Sequence, residues 1–393
     1  VALLGGRNID NHYYNHSLTY NFIDRDAVVM GPVVPGIVES FYKYWDWRKS
    51  IPSTELKDVE RTIASGKYPP YQGPGSFDYN GFFDDVQRDA EDPAYIKKQF
   101  IDQFIVAKKL AFIADLPGKN SQMAFWGSGR HTRMLRKIIS NTDESLIMQS
   151  PYLILSASGK RVYRKLRKRS PDALVIISTN SFASTDNTLA YSANFKLRST
   201  YVKGLDFHIY EYRPHPADLL EHLPNFPDLE RRAREADNGS RGPFLSIHAK
   251  SFVVDDKIAY VGSYNMDPRS DNLNTEVGIV IEDERVAKII KDRILNCTRP
   301  DTSWVIAERK IPLDDVNYLF EGISGLTPID IWPLRNTGSF ELIDGKEPLP
   351  PDDPHFHDNY VDVGNFPGAE GISAKAIGIH IYKMLNTLAI PML

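Results

Sequence analysis

Two short runs rich in β-branched and aromatic residues, Ser251–Val254 and residues 257–261, stand on either side of the pair Asp255-Asp256, and this arrangement admits one local fold. Val, Ile and Tyr suit a pleated, half-buried strand, and adjacent aspartates suit the turn between two strands. The stretch reads as a β-hairpin. On its first strand His248 and Lys250 are two residues apart, so alternation sends both side chains to one face. The second strand runs into Gly262-Ser263, where glycine permits close backbone approach, and Asn265 follows with an amide donor. A lysine, an asparagine and an imidazole at these spacings suit one phosphate. The first two stabilise charge on its oxygens while the imidazole acts as nucleophile or acid.

The chain opens on a partial copy of this pattern. Residues 1–8, V-A-L-L-G-G-R-N, align without gaps on residues 258–265, I-A-Y-V-G-S-Y-N, and each run is followed by a hydrophobic residue and an aspartate. The acid-led apolar run from Asp26 aligns with the one from Glu276. Helical spacing follows both, in Ile37, Val38, Phe41 and Trp45 and in Val286, Ile289, Ile290 and Ile294. In this register Asn8 takes the place of Asn265, Gly6 that of Ser263 and Asp26 that of Glu276. The counterparts of His248, Lys250 and Asp255 fall upstream of Val1, so the chain is expected to be the C-terminal portion of a longer enzyme.

The stretch from His248 to Glu276, H-A-K-S-F-V-V-D-D-K-I-A-Y-V-G-S-Y-N-M-D-P-R-S-D-N-L-N-T-E, resembles the signature of the phospholipase D superfamily. G-G-R-N-I at 5–9, G-P-V-V at 31–34, F-Y-K-Y-W at 41–45 and the run at 262–276 are similar to bacterial phospholipase D-type cardiolipin synthases. The resemblance implies an α/β fold of two pseudo-twofold-related phospholipase D-type domains. Each would be a mixed β-sheet flanked by helices, the first incomplete in this chain. It also implies a phosphohistidine mechanism: one histidine attacks a phosphodiester, another protonates the departing alcohol, and a second lipid's hydroxyl or water resolves the intermediate. The catalytic set carried over is His248, Lys250, Asp255, Asn265 and Glu276. In it Lys250 and Asn265 hold phosphate, Glu276 orients an imidazole, and Asp255 is expected to support the hairpin rather than touch substrate. Asn8, Asp26, Ser263 and Gly6 are expected to bind or support the phosphate. S-P-Y at 150–152 and S-T-N-S at 178–181 resemble segments at the ends of two parallel strands in the cardiolipin-synthase-like members, where open α/β sheets bind ligands. Tyr152, Asn180, Ser181 and Asp186 are therefore candidate headgroup or supporting contacts, unless these segments only form turns and caps. This chemistry requires no metal or other cofactor.

Composition agrees with an α/β protein of more than one domain: 393 residues, 42% hydrophobic and 25% charged, provide for a sizeable core. A net charge of -4 gives no sign of general nucleic-acid affinity, and the single cysteine, Cys297, excludes an intramolecular disulfide. Four segments are expected: residues 1–47 ending a first domain, 48–129 connecting, 130–300 a second domain with the complete motif, and 301–393 an extension. The basic run at 161–169 reads as a solvated helix face with Val162, Tyr163 and Leu166 inward. His355 and His357 lack the further spaced ligands of a metal site. In the last segment Ile377, Ile381, Met384, Leu385, Leu388 and Met392 form one helical stripe, suited to a membrane interface or to docking on the core. The expected partners are a phospholipid substrate and a membrane surface rather than nucleic acid, with peripheral attachment to a bacterial inner membrane.

Overall fold

A computed structural model describes residues 1–68, 82–119, 129–237, 241–310 and 335–369. These form strands β1 (Ala2–Gly5), β2 (Tyr20–Ile23), β3 (Asp26–Val29), β4 (Lys109–Ala114), β5 (Ser145–Gln149), β6 (Leu174–Asn180), β7 (His208–Tyr212), β8 (Phe244–Ile247), β9 (Ser251–Val254), β10 (Ile258–Gly262), β11 (Val277–Glu282), β12 (Ser303–Glu308), β13 (Thr337–Leu342) and β14 (Tyr360–Asp362). Ten of them make one mixed sheet in the order β14-β13-β12-β7-β6-β5-β9-β10-β11-β4. β5, β6 and β7 run parallel, and β9, β10 and β11 are antiparallel neighbours.

The central strands read as nearly continuous apolar runs because both of their faces are covered. On one face Leu146, Met148, Val175, Ile177, Phe252 and Tyr260 meet Leu135, Ile139, Tyr163, Leu166 and Tyr201 from helices Arg130–Ser140, Ala157–Arg169 and Thr188–Leu205. Ile147, Val253 and Ala259 alternate away from that cluster and are buried as well, where helix Glu284–Asn296 packs on β5, β9 and β10. That helix buries Ala287, Ile290 and Ile294. The basic helix Ala157–Arg169 behaves as its pattern predicts, burying Tyr163 and Leu166.

The hairpin has a three-residue turn, so β10 starts at Ile258, one residue later than the sequence pattern predicts. Asp255 and Asp256 take left-handed φ values of 51° and 55°, which aspartate tolerates better than most residues. His248 and Lys250 do not lie on β9. They occupy the link between β8, which pairs in parallel with β2, and β9, which enters the large sheet. β1 and β3 pair antiparallel and lie against β10 and β11.

Among the described residues, those within 1–40 and 109–369 make one compact unit and those within 41–108 another. In the second, helix Lys57–Ser65 ends at a left-handed Gly66, and Asp92 caps helix Pro93–Gln99 by accepting from the Ala94 amide. Neither helix buries a side chain. Among the described residues no helix is long and apolar enough to cross a membrane. The stripe from Ile377 to Met392 lies outside the described residues. His355 is paired with Asp358 at 3.0 Å, and among the described residues no cluster of three metal-ligating side chains is present.

Candidate active site

The strand pair β2–β8 brings the N-terminal segment onto the histidine. The Ile23 carbonyl at the end of β2 accepts from the amides of His248 (2.8 Å) and Ala249 (3.0 Å). This places the next residue, Asp24, beside the imidazole, with Asp24 Oδ2 2.6 Å from His248 Nδ1. The Asp24 side chain is fully buried. Burial alone would raise its pKa, but the hydrogen bond from His248 and the charge of Lys250 outweigh it and hold the carboxyl below its ordinary value. Burial and then the Lys250 charge keep the His248 pKa below its ordinary value, against the pull of Asp24. The stable pairing is therefore a neutral imidazole donating from Nδ1 to an ionised carboxylate, with Nε2 free to act on a substrate.

Lys250 is 3% exposed, and its ammonium donates to the His248 carbonyl. Burial pushes its pKa down to about 8, although Asp24, Glu276, Asp186 and Asp267 all favour its charge. Gly6 packs on this lysine: a Cβ there would lie 2.9 Å from Lys250 Cδ and 3.1 Å from Asp24 Oδ1. The glycine is thus required by close packing.

Asp24, rather than Asp26, is the acid that meets His248. The pairing register gives the reason. Gly5 pairs with Asp26 in the first hairpin, and Gly262 pairs with Gly278 in the second. Asp26 therefore occupies the place of Gly278, and Asp24, two residues earlier, that of Glu276. Asp26 instead bonds Arg7 Nε at 2.7 Å. Asn8 donates to the Tyr13 hydroxyl at 2.9 Å, and that hydroxyl lies 3.3 Å from His248 Nε2. Sequence reasoning passed over Asp24 and Tyr13. The signal for Asp24 was the strand register, which a gapless alignment of short motifs leaves free by two residues.

Glu276 is 3% exposed, and burial pushes its carboxyl up to about 7 against hydrogen bonds from Ser263 and Ser270. Among the described residues these hydroxyls, and no imidazole, hold it. Its backbone is pinned by Asp115, whose amide donates to the Glu276 carbonyl at 2.9 Å and whose Oδ2 accepts from the Glu276 amide at 3.2 Å. Lys119 pairs with the same carboxylate at 2.7 Å in a buried ion pair. The Asn265 Oδ1 is buried and has no hydrogen-bond partner among the described residues.

Asp255 is not part of this group. It lies at the other end of β9 from Lys250 and accepts from the amides of Asp143, Glu144 and Ser145, which ties the hairpin turn to the start of β5. Tyr152 donates to both Asp186 oxygens, at 3.0 and 2.9 Å, and Asp186 is near enough to raise the pKa of both His248 and Lys250. Asn180 and Ser181 are each 1% exposed and are held by protein partners. Asn180 donates to the Ile247 carbonyl at 2.8 Å and accepts from its amide at 2.7 Å, which fixes the backbone just before His248. Ser181 is taken up by Ser184, at 3.1 Å between hydroxyls.

Residues 135–297, which carry the histidine, the lysine, the hairpin and the central strands, match the family described as "Cardiolipin synthase, PLD-like domain". These residues form a phospholipase D-like domain. It is 27% identical over 311 residues to cardiolipin synthase C of Escherichia coli (strain K12), covering 77% of this chain and 60% of that protein. It is 31% identical over 153 residues to the major cardiolipin synthase ClsA of Bacillus subtilis (strain 168), covering 39% of this chain and 24% of that protein. The chain thus spans 60% or less of the curated relatives it matches. Among solved structures, the phospholipase D family member Nuc from Salmonella typhimurium aligns at 14% identity and TM-score 0.32, over 49% of this chain and 97% of that one. The phospholipase D-like domain supplies His248 and Lys250, while Asp24, Gly6 and Asn8 come from the segment preceding it.

Proposed function

We propose that this protein transfers a phosphatidyl group through a phosphohistidine at His248, and that its product is cardiolipin, formed from phosphatidylglycerol and a second phospholipid. The observation that carries the reading is the Asp24–His248 pair, with Lys250 packed beside it, in a chain whose domain family bears the name cardiolipin synthase. Asp24 holds Nδ1 and leaves the Nε2 lone pair for phosphorus. Lys250 and Asn265 are the phosphate ligands. In the first step the Nε2–P bond forms and the P–O bond to the leaving group breaks. The departing alkoxide takes a proton from a general acid, which the resemblance gives as a second imidazole. In the second step the hydroxyl of the acceptor lipid gives its proton to that same group, now deprotonated, as its oxygen bonds phosphorus and the Nε2–P bond breaks, which restores the free imidazole. Both substrates are lipids, so the protein works at a membrane surface.

The test is incubation of the protein with phosphatidylglycerol vesicles, the lipids being read by mass spectrometry beside a His248→Ala control. Cardiolipin that falls at least about 10³-fold in the control supports the transferase. Phosphatidic acid alone makes the protein a hydrolase. No His248-dependent lipid product sinks the lipid reading.

A further inference from the structure

Tyr13 closes the short turn Asn11–Tyr13, which Asp10 caps by accepting from the His12 amide. Its side chain is buried, packed on Phe22 with ring centroids 4.6 Å apart and edge-on to His248 at 4.9 Å. This packing fixes the hydroxyl 3.3 Å from His248 Nε2 and 2.9 Å from Asn8 Nδ2. The direction of each proton follows from the ends of the array. The Asn8 Nδ2 donates only, and the ionised Asp24 carboxylate accepts only. His248 therefore donates from Nδ1 to Asp24, Nε2 is an acceptor, and Tyr13 donates its O–H to Nε2 while its oxygen accepts from Asn8. Burial pushes the phenol up to about 12, so it keeps its proton across the working pH range. Ser270 stands five residues past Asn265 as Tyr13 stands five past Asn8, and its hydroxyl bonds Glu276. The Ser270 hydroxyl is engaged by the acid Glu276 and the Tyr13 hydroxyl by the His248 imidazole.

We propose that Tyr13 is a further catalytic residue: its hydroxyl holds the Nε2 lone pair of His248 in the free site and donates to a non-bridging phosphoryl oxygen once phosphorus occupies Nε2. The proposal rests on His248 acting as described above. As the Nε2–P bond forms and the P–O bond to the leaving group breaks, Tyr13 changes hydrogen-bond acceptor and transfers no proton. Asn8 keeps its oxygen in place throughout.

Two readouts on the whole chain test this, with Tyr13→Phe beside wild type. The first is an NMR titration of the His248 ring. Loss of the O–H donor to neutral Nε2 should move its midpoint upward, an effect that a purely structural tyrosine would not produce. The second is cleavage of bis(p-nitrophenyl) phosphate, whose leaving group needs no general acid, together with turnover of phosphatidylglycerol vesicles. Both rates should fall about 10²-fold, as for removal of one donor to a developing oxyanion. Thermal melting checks that the fold is kept. If Tyr13→Phe does not fold, Asn8→Ala takes its place, with a smaller change expected in the same directions. An unchanged midpoint, or rates within twofold of wild type, overturns the proposal. A wild type that cleaves the diester but forms no lipid product removes the lipid reading and leaves Tyr13 to be judged on the diester; a wild type that cleaves neither overturns both.

Discussion

Asp24 accepts from His248 and lies beside the charge of Lys250, so its role is read by mutation of the carboxylate alone. Asp24→Asn keeps the shape but offers an amide N–H to Nδ1 in one of its two orientations, which favours the wrong tautomer of the imidazole. The rate is expected to fall about 10²- to 10⁴-fold while the melting temperature changes little, as measured by initial rates and calorimetry. The pH profile of the rate should carry two further signatures. In the proposed mechanism His248 attacks as the neutral imidazole, and its pKa is held below 6.5, so activity should persist on the acid side of the ordinary histidine range. Lys250 works as a cation and titrates at about 8, so the rate should fall as pH rises through that value. A profile with an alkaline limb only above about pH 10, the ordinary lysine range, would remove Lys250 from the phosphate site.

The hairpin β9–β10 shows what an element demands of its turn. Asp255 fits the acidic position of the motif by spacing, yet its carboxylate satisfies three backbone donors at the start of β5, far from the imidazole. Asp255→Ala leaves those amides to water and puts a Cβ without a compensating polar group at positive φ. A stability loss of about 1–3 kcal/mol is expected in denaturant titration, with the turnover of the remaining folded protein near wild type. A large loss of turnover without loss of stability would place Asp255 in the chemistry after all. The parallel pair β2–β8 has the complementary task. Its register with Ile23 opposite Ile247 sets Asp24 against His248, and Asn180 clamps the same backbone from β6.

At the scale of the whole molecule, Glu276 couples the site to global stability. Its carboxyl has an ordinary value of 4.5 and is raised to about 7 in the fold. Below pH 4.5 both states hold the proton; between 4.5 and 7 the unfolded chain ionises first, so stability falls as pH rises through this window. Glu276→Gln keeps the hydrogen bonds and removes the titration. Its melting temperature should match wild type near pH 4.5 and exceed it at pH 8, by an amount on the order of 3 kcal/mol in unfolding free energy. An equal gap at both pH values would mean that the buried acid does not hold its proton. The sequence by itself determined the α/β class, the hairpin and the helix over the basic run 161–169, because periodicity and turn chemistry are local properties of the chain. It also singled out His248 and Lys250 by their two-residue spacing, while Glu276 came from the family resemblance. The tertiary structure alone decided which acid serves His248, that Asn180 and Ser181 face inward, and that Tyr13 lies on Nε2. Those choices depend on strand register and on contacts between residues more than 200 positions apart, as between Asp24 and His248, and no local pattern encodes them.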